Sequence, residues 1–161
     1  MQQISDISVL RVPAEDKIHS MGGFLVDIKV LPRKKIIIHF DKLQGGVEVG
    51  DCIEISRYIN VQFENSGLWE QYELEVSSPG LDQPFRVVQQ YHKAVGKEIR
   101  IIATDGQAVS GKLISAGEEG IEILENIPGR KNRQQAEEES RKEFFPYSGI
   151  KEAKCIISFR N

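Results

Sequence analysis

The sequence has few of the residues that build disulfide frameworks, metal knuckles or membrane spans. Among its 161 residues there are two cysteines, Cys52 and Cys155, which are too far apart to form a Cys-x-x-Cys metal motif. No apolar run approaches the roughly 20 residues that a membrane helix needs. The first residues, 1–6, lack the basic and apolar regions of a secretory signal. We therefore expect a reducing, cytoplasmic location without membrane association.

Catalytic and metal-binding patterns are also missing. The histidines are isolated and lack the spacing of a metal site; they are His19, His39 and His92. Gly45 and Gly50 have the spacing of a phosphate loop, but Asp51 follows where such a loop needs a lysine. Ser78 lacks the leading glycine of a nucleophile elbow and lies beside Pro79. We predict that the protein is not an enzyme and has neither a metal nor a cofactor.

The composition is that of a globular protein, with a charge balance that differs between the two halves. Residues 1–82 hold 8 Lys/Arg against 13 Asp/Glu, whereas residues 83–161 hold 13 against 11. A free-standing DNA binder is usually basic, because phosphate contacts supply much of its affinity. Any contact with nucleic acid should therefore be local or shared with a protein surface. The alternative, that the charges only keep two domains in solution, stays open.

The first half of the chain has the periodicity of two helices and three strands. They are a short helix ending near Met21, strands 24–31 and 36–40, a helix between Asp51 and Gly67, and a strand at 72–77. Asp51 and Glu54 have the spacing of a capping box, so Asp51 is the expected N-cap. The order α-β-β-α-β predicts an open sheet with two helices against it, in a protein of the α+β class.

Short strands separated by tight turns dominate the second half. They are expected at residues 97–103, 108–116, 121–127, 144–147 and 154–159. This rhythm predicts a small, SH3-like β-barrel. Phe144, Phe145 and Tyr147 could stack on single-stranded bases, or they could fill the barrel core, which we favour for Phe145.

A strand runs into a rigid polar turn between the two halves, at residues 75–82, which we name the elbow. Pro79 fixes its own φ, Gly80 can adopt a positive φ at no steric cost, and Pro84 breaks regular structure again. The change of pattern predicts two domains, 1–83 and 84–161. The polar groups of the elbow could satisfy turn amides, contact a partner, or do both. The predicted partner-contact residues are Glu75, Ser77, Ser78, Pro79, Gly80, Leu81 and Asp82.

Two basic clusters are candidates for RNA contact. The first is Arg33, Lys34 and Lys35 at the tip of the predicted hairpin, and the second is Arg130, Lys131 and Arg133 in the charged loop 128–142. A basic turn that is simply solvated is the alternative for the first cluster.

The elbow and its surroundings resemble the bacterial ribosome maturation factor RimP family. The residues that carry the resemblance are Tyr72, Leu74, Glu75, Val76, Ser77, Ser78, Pro79, Gly80, Leu81, Asp82 and Pro84. Asp51-Cys52 at a helix start with Ser56 one turn later, Phe24–Asp27, and Ile150–Lys154 are similar to the family pattern as well. The likeness covers the chain from about residue 14. Three features depart from the family: Gln83 in place of a common arginine, Pro13 in the first helix, and a long charged loop at 128–142.

The resemblance implies a fold and a function. The fold is an N-terminal α/β domain with a C-terminal barrel similar to Sm proteins. The function is that of a monomeric, non-enzymatic assembly factor that binds the immature small (30S) ribosomal subunit. Its implied partners are small-subunit rRNA and ribosomal proteins near the decoding region. The alternative is an RNA-binding module that acts through the barrel alone and is unrelated to ribosome assembly.

Overall fold

The computed structural model describes residues 7–126 and 142–157, which form a mixed α+β fold as expected. The chain divides into two compact units, Met1–Pro79 (unit 1) and Gly80–Asn161 (unit 2). The predicted domain boundary between residues 83 and 84 stays a prediction. Across the described ranges, no helix combines the length and the apolar character of a membrane span.

Unit 1 has a three-stranded sheet whose edge strands are β1 and β3. Its elements are α1 Arg11–Ser20, β1 Gly23–Leu31, β2 Lys35–Lys42, α2 Val49–Gln62, α3 Leu68–Gln71 and β3 Glu73–Ser77, after a short 3₁₀ helix at Ile7–Leu10. The strand order is β1-β2-β3, with β1 antiparallel and β3 parallel to β2. A parallel neighbour needs a crossover connection, and α2 supplies it between β2 and β3. The short helix α3 was not predicted.

Helix α2 packs on the sheet through one apolar stripe. Ile55 and Ile59, one turn apart, are fully buried, and Cys52 and Phe63 contact the same core. This is the pattern expected from the spacing of three and four residues. Pro13 does not break α1, because it lies in the first turn, where backbone N–H groups have no partner within the helix.

The predicted N-cap of α2 is wrong by three residues. The helix begins at Val49 after Glu48, and the Asp51 carboxylate accepts a hydrogen bond from the Glu48 backbone N–H at 2.8 Å. Lys42 Nζ lies 2.8 Å from the same carboxylate. The ammonium of Lys42, and then the Glu48 N–H, hold the pKa of Asp51 below its ordinary value. Glu54, the expected capping partner, is paired with Lys17 instead.

Unit 2 has a short helix and a five-stranded antiparallel sheet. Its elements are α4 Val88–Ala94, β4 Glu98–Ala103, β5 Ala108–Ala116, β6 Gly120–Glu125, β7 Lys142–Pro146 and β8 Ile150–Cys155, with a 3₁₀ helix at Tyr147–Gly149. The strand order is β7-β6-β5-β4-β8. Among the described residues, β7 and β8 are the sheet edges, so strand pairing forms no closed barrel.

The closing strand lies earlier in the sequence than predicted. It ends at Cys155, and Ile156 and Ile157, which the predicted strand included, lie beyond it and are exposed. The core position is occupied by the small Ala153, which pairs with Ile101 and is buried. Ala153 lies between the charged residues Glu152 and Lys154, which hide the apolar alternation of the strand. The prediction therefore placed the strand at residues 154–159, where apolar residues are more evident.

Tyr91 lies in the core of unit 2 among aromatic rings. Its ring centroid is 4.9 Å from that of Phe85 and 5.2 Å from that of Tyr147. Burial, followed by the neighbouring Tyr147 phenol, raises the pKa of Tyr91 to about 12.

We expect alkaline pH to destabilise unit 2 through Tyr91. Its folded pKa lies above the ordinary value of 10.0, so this contribution is complete below pH 10.0 and is lost as the pH rises through about 12. The Tyr91→Phe variant lacks the ionisable phenol at this position, so its free energy of unfolding should fall less between pH 10.0 and about pH 12. Urea denaturation at a series of pH values measures this. Equal alkaline losses in the two proteins would contradict the assignment.

Candidate functional site

The elbow begins in β3 and continues into a tight turn. β3 ends at Ser77, and the Gly80 carbonyl accepts a hydrogen bond from the Gln83 N–H at 3.0 Å. Leu81 and Asp82 occupy the corners of this turn. Gly80, which can adopt a positive φ, does not have one in the structure. A Cβ at Gly80 would lie 2.8 Å from Asp82 Oδ1, the end of an exposed side chain that can move aside.

The predicted partner-contact residues differ in exposure. Ser78, Gly80, Leu81 and Asp82 are exposed, whereas Glu75, Ser77 and Pro79 are half-buried. Leu81 is 79% exposed, which is the highest value among the exposed large hydrophobic residues of the described ranges. Binding of a partner that covers this apolar side chain would be favourable, because it would remove apolar surface from water.

Glu75 and Ser77 share one face of the unit 1 sheet with charged residues of β2. Glu75 Oε1 lies 3.3 Å from Lys35 Nζ, and Ser77 pairs in register with His39. One ion pair therefore joins Glu75, a predicted partner-contact residue, to Lys35, a predicted RNA-contact residue. Both side chains of that pair are partly exposed, so we assign it little stability by itself.

An aspartate–histidine pair lies on the same face and was not predicted. A β-bulge between Leu25 and Asp27 places Asp27 opposite His39, and their side chains approach to 2.9 Å. Lys29 lies 3.6 Å from the other oxygen of Asp27. Sequence alternation did place Asp27 and Lys29 on the polar face, but it does not give the register between strands. His39 was therefore interpreted as isolated.

Asp27, His39 and Ser77 form a row across three strands, with the residue types of a hydrolase triad. A working triad needs a hydrogen bond from the serine hydroxyl to the imidazole. In the described part of the chain His39 bonds Asp27 and no hydrogen bond joins it to Ser77. The row therefore provides no activated nucleophile.

The basic hairpin tip has an unusual backbone. Arg33 and Lys34 both have positive φ, at 72° and 59°, and both are exposed. Two consecutive left-handed residues suit a tight hairpin turn, but asparagine and glycine are the usual residues there. Each left-handed residue other than glycine costs about 1 kcal/mol. The turn thus carries two cations at a cost in stability.

We expect the double change Arg33→Asn and Lys34→Gly to raise the free energy of unfolding by about 1 kcal/mol, after allowing for the flexibility that glycine adds to the unfolded chain. Urea denaturation measures the change. The matched control is Arg33→Lys with Lys34→Arg, which keeps both charges and both left-handed residues and should leave stability unchanged. A loss of stability on introducing Asn-Gly would contradict the strained turn.

The other predicted RNA-contact residues, Arg130, Lys131 and Arg133, lie outside the described residues. The aromatic stacking platform is not assembled as a group. Phe145 is buried in the core of unit 2, as we favoured, while Phe144 on the same strand is 54% exposed. The Tyr147 hydroxyl donates to the Gly117 carbonyl at 2.7 Å, and its ring packs against Tyr91. Only Phe144 of the three is largely accessible.

Unit 2 has a groove that sequence reasoning missed. It has a volume of about 400 Å³ and is lined by Pro84, Phe85, Arg86, Ile102, Lys151 and Glu152. The Phe85 N–H donates to the Ala153 carbonyl at 2.7 Å, which fixes this segment beside β8. Phe85 and Arg86 are adjacent in the sequence, but no local signal predicts that Ile102 and Lys151 lie beside them.

Across residues 7–126 and 142–157, no three His, Cys, Asp or Glu side chains are grouped as metal ligands would be. Burial raises the pKa of the Cys52 and Cys155 thiols, which lowers their reactivity.

Residues 14–82 match the family model described as the RimP N-terminal domain. A protein named ribosome maturation factor RimP from Cytophaga hutchinsonii is 32% identical over 149 residues, covering 85% of this chain and 87% of that protein. Its namesake from Flavobacterium psychrophilum is 31% identical over 137 residues, covering 84% and 86%. A further namesake from Porphyromonas gingivalis is 34% identical over 100 residues, which span 62% of this chain and 64% of that protein.

The chain therefore belongs to the ribosome maturation factor RimP family. The family is one of maturation factors and not of enzymes, in agreement with the sequence prediction. The family model ends at Asp82, the last residue of the elbow.

Proposed function

We propose that this protein is an assembly factor for the small (30S) ribosomal subunit, which binds the immature subunit through ribosomal proteins and rRNA near the decoding region. The observation that carries the proposal is the similarity to a ribosome maturation factor over 85% of the chain. We further propose that it acts as a monomer in the cytoplasm.

Unit 1 and the elbow that continues from it are proposed to supply the contact with protein. The elbow carries exposed polar groups and the exposed Leu81, which already belongs to unit 2, and residues 1–82 hold more carboxylates than cations. Ribosomal proteins are generally basic, so an acidic surface would attract them and disfavour bare RNA. The elbow residues 75–82 are the proposed contact.

RNA contact is proposed for the hairpin tip and for unit 2. Arg33 and Lys34 are exposed on a turn that carries them at a cost in stability, and Phe85, Arg86 and Lys151 line one groove. β7 and β8 are consecutive strands joined by a short 3₁₀ helix, which supports a sheet that curls towards an Sm-like barrel. Domain 1–83 would then be the acidic half with a basic hairpin tip, and domain 84–161 the half with more cations than carboxylates.

Co-sedimentation with purified small subunits at several salt concentrations tests the proposal. Affinity should fall with salt, but with a shallower slope than that of a purely phosphate-driven binder, because part of the contact is with protein. Changing Arg33 to Asn and Lys34 to Gly should reduce the slope by about 1.4, the value for two phosphate contacts with single strands. Association that is independent of salt would contradict the proposal.

The second candidate is an RNA-binding module that acts through unit 2 alone. The groove with Phe85, Arg86 and Lys151 favours it, because aromatic rings and cations together bind single strands. The double variant Arg86→Ala, Lys151→Ala, made in the full chain, distinguishes the two candidate functions. Loss of RNA binding and of all subunit binding supports the second candidate, whereas subunit binding that persists supports the assembly factor.

A further inference from the structure

We propose that the outer edge of β3 binds an extended segment of a basic protein, which adds a strand to the sheet of unit 1. The inference deepens the proposed function, since it states how unit 1 would recognise a protein partner. Addition of a strand to an exposed sheet edge is a general mode of peptide recognition, in which backbone hydrogen bonds give affinity and side-chain grooves give specificity.

The backbone of β3 is oriented for this mode. The Glu73 N–H donates to the Lys34 carbonyl at 3.0 Å, so the backbone of Glu73 points towards β2. Backbone groups alternate along a strand, so the N–H and C=O groups of Leu74 and Val76 point away from β2. In the described part of the chain no strand pairs with that outer edge. Four backbone groups are therefore available to an added strand.

An open groove lies between α2 and β3, and we name it the edge groove. It has a volume of about 340 Å³ and is lined mainly by the apolar side chains of Val49, Cys52, Ile53, Leu74 and Val76, together with Ser56 and the charged Arg57 and Glu75. Val49 is 77% exposed and Ile53 is 47% exposed, although both lie in a helix that packs on the sheet. An added strand would lie about 4.8 Å from β3, so its alternate side chains would reach towards α2.

The segment that builds the edge groove is acidic as a whole, although one cation and one carboxylate, Arg57 and Glu75, line the groove itself. Residues 48–77 carry seven carboxylates and one cation, Arg57. Three of these carboxylates are paired with lysines from outside the segment, namely Lys17, Lys35 and Lys42. Excess negative charge repels RNA and favours Lys and Arg side chains. A second copy of this chain is also disfavoured, because it would oppose Glu73 and Glu75 to their own counterparts.

Two substitutions in the full chain test the backbone edge and the groove separately. Val76→Pro removes one outward N–H while keeping the hydrogen bonds to β2, because proline is compatible with an edge strand. Ile53→Asp places a charge in the edge groove. The matched control is Val61→Asp, which changes a residue of the same helix that is 62% exposed and does not line the groove.

The probes are the basic small-subunit ribosomal proteins, purified individually, with affinities measured by calorimetry. For a ribosomal protein that binds, Val76→Pro and Ile53→Asp should each weaken binding by about tenfold or more, and Val61→Asp should stay within about twofold of the unchanged chain. Amide hydrogen exchange at Leu74 and Val76 should slow in the complex. Retained affinity in both variants, or unchanged exchange, overturns the inference.

The remaining outcomes separate the alternatives. Amide exchange at Leu74 and Val76 that slows with a short single-stranded RNA and not with a protein would show that the edge binds RNA. Exchange that slows as the concentration of the chain alone rises would show that a second copy binds there. Either result overturns a basic protein as the occupant. Co-sedimentation with small subunits is measured in parallel. Subunit binding that both variants retain overturns the edge site and leaves the proposed function intact. Absence of subunit binding by the unchanged chain contradicts the proposed function, and if no ribosomal protein binds either, the edge site is overturned too.

Discussion

Replacing Gly111 by alanine is expected to lower the free energy of unfolding of unit 2 by about 3 kcal/mol. Gly111 is buried in β5, the central strand of the five-stranded sheet. A Cβ there would overlap the Leu124 carbonyl oxygen and would lie 2.8 Å from Ile123 Cγ2. β5 cannot move away from β6 without disturbing β4 on its other side, so the overlap is not easily relieved. A loss of this size is a large part of the stability of a small domain.

Gly117→Ala is the matched control for Gly111→Ala. Gly117 follows β5, and the nearest atom to an added Cβ there is the Gly120 carbonyl oxygen at 3.8 Å. Its change in unfolding free energy should stay within about 0.5 kcal/mol. Urea denaturation monitored by circular dichroism, with tryptophan fluorescence from Trp69 reporting on unit 1, measures both variants. Equal stabilities of the two variants would contradict the close packing of β5 against β6.

Replacing Leu81 by aspartate is expected to weaken association with small subunits by about 30-fold. The side chain is 79% exposed at the corner of the elbow turn, so the change should leave folding intact. Covering a leucine side chain contributes about 2 kcal/mol, which corresponds to this factor. Co-sedimentation with purified subunits measures the change.

Val12→Asp is the control for Leu81→Asp, because Val12 is 64% exposed on α1, outside the elbow. Its association should match that of the unchanged chain. The triple change of Ser77, Ser78 and Asp82 to alanine tests the polar part of the elbow in the same assay. Unchanged association in both elbow variants, with folding intact, would leave the elbow as a connection between the units.

Local patterns in the sequence predicted much of the fold. The bounds predicted for β5 agree with the structure, because apolar residues alternate along it and Asp105-Gly106 precedes it. Gly106 has the positive φ, 91°, that such a turn uses. β8 was misplaced because the small Ala153 occupies its core position between charged residues. The N-cap of α2 was misplaced because Glu48 and Asp51 have the same capping-box spacing as Asp51 and Glu54.

The site was less predictable than the fold, because it depends on register between distant strands. The elbow residues could be named from one continuous segment, and their role as partner contacts stays a prediction. The Asp27–His39 pair depends on a β-bulge, which alternation alone does not locate. The edge groove combines residues of α2 and β3, and the groove of unit 2 combines Phe85 with Lys151. None of these sets is contiguous in the sequence.

The most direct test of the proposed function is a ribosome profile from cells that lack this protein. We predict that these cells accumulate free small subunits that contain unprocessed small-subunit rRNA, and that the unchanged chain restores the normal profile. A normal profile with fully processed rRNA in the cells that lack the protein would contradict a role in maturation of the small subunit.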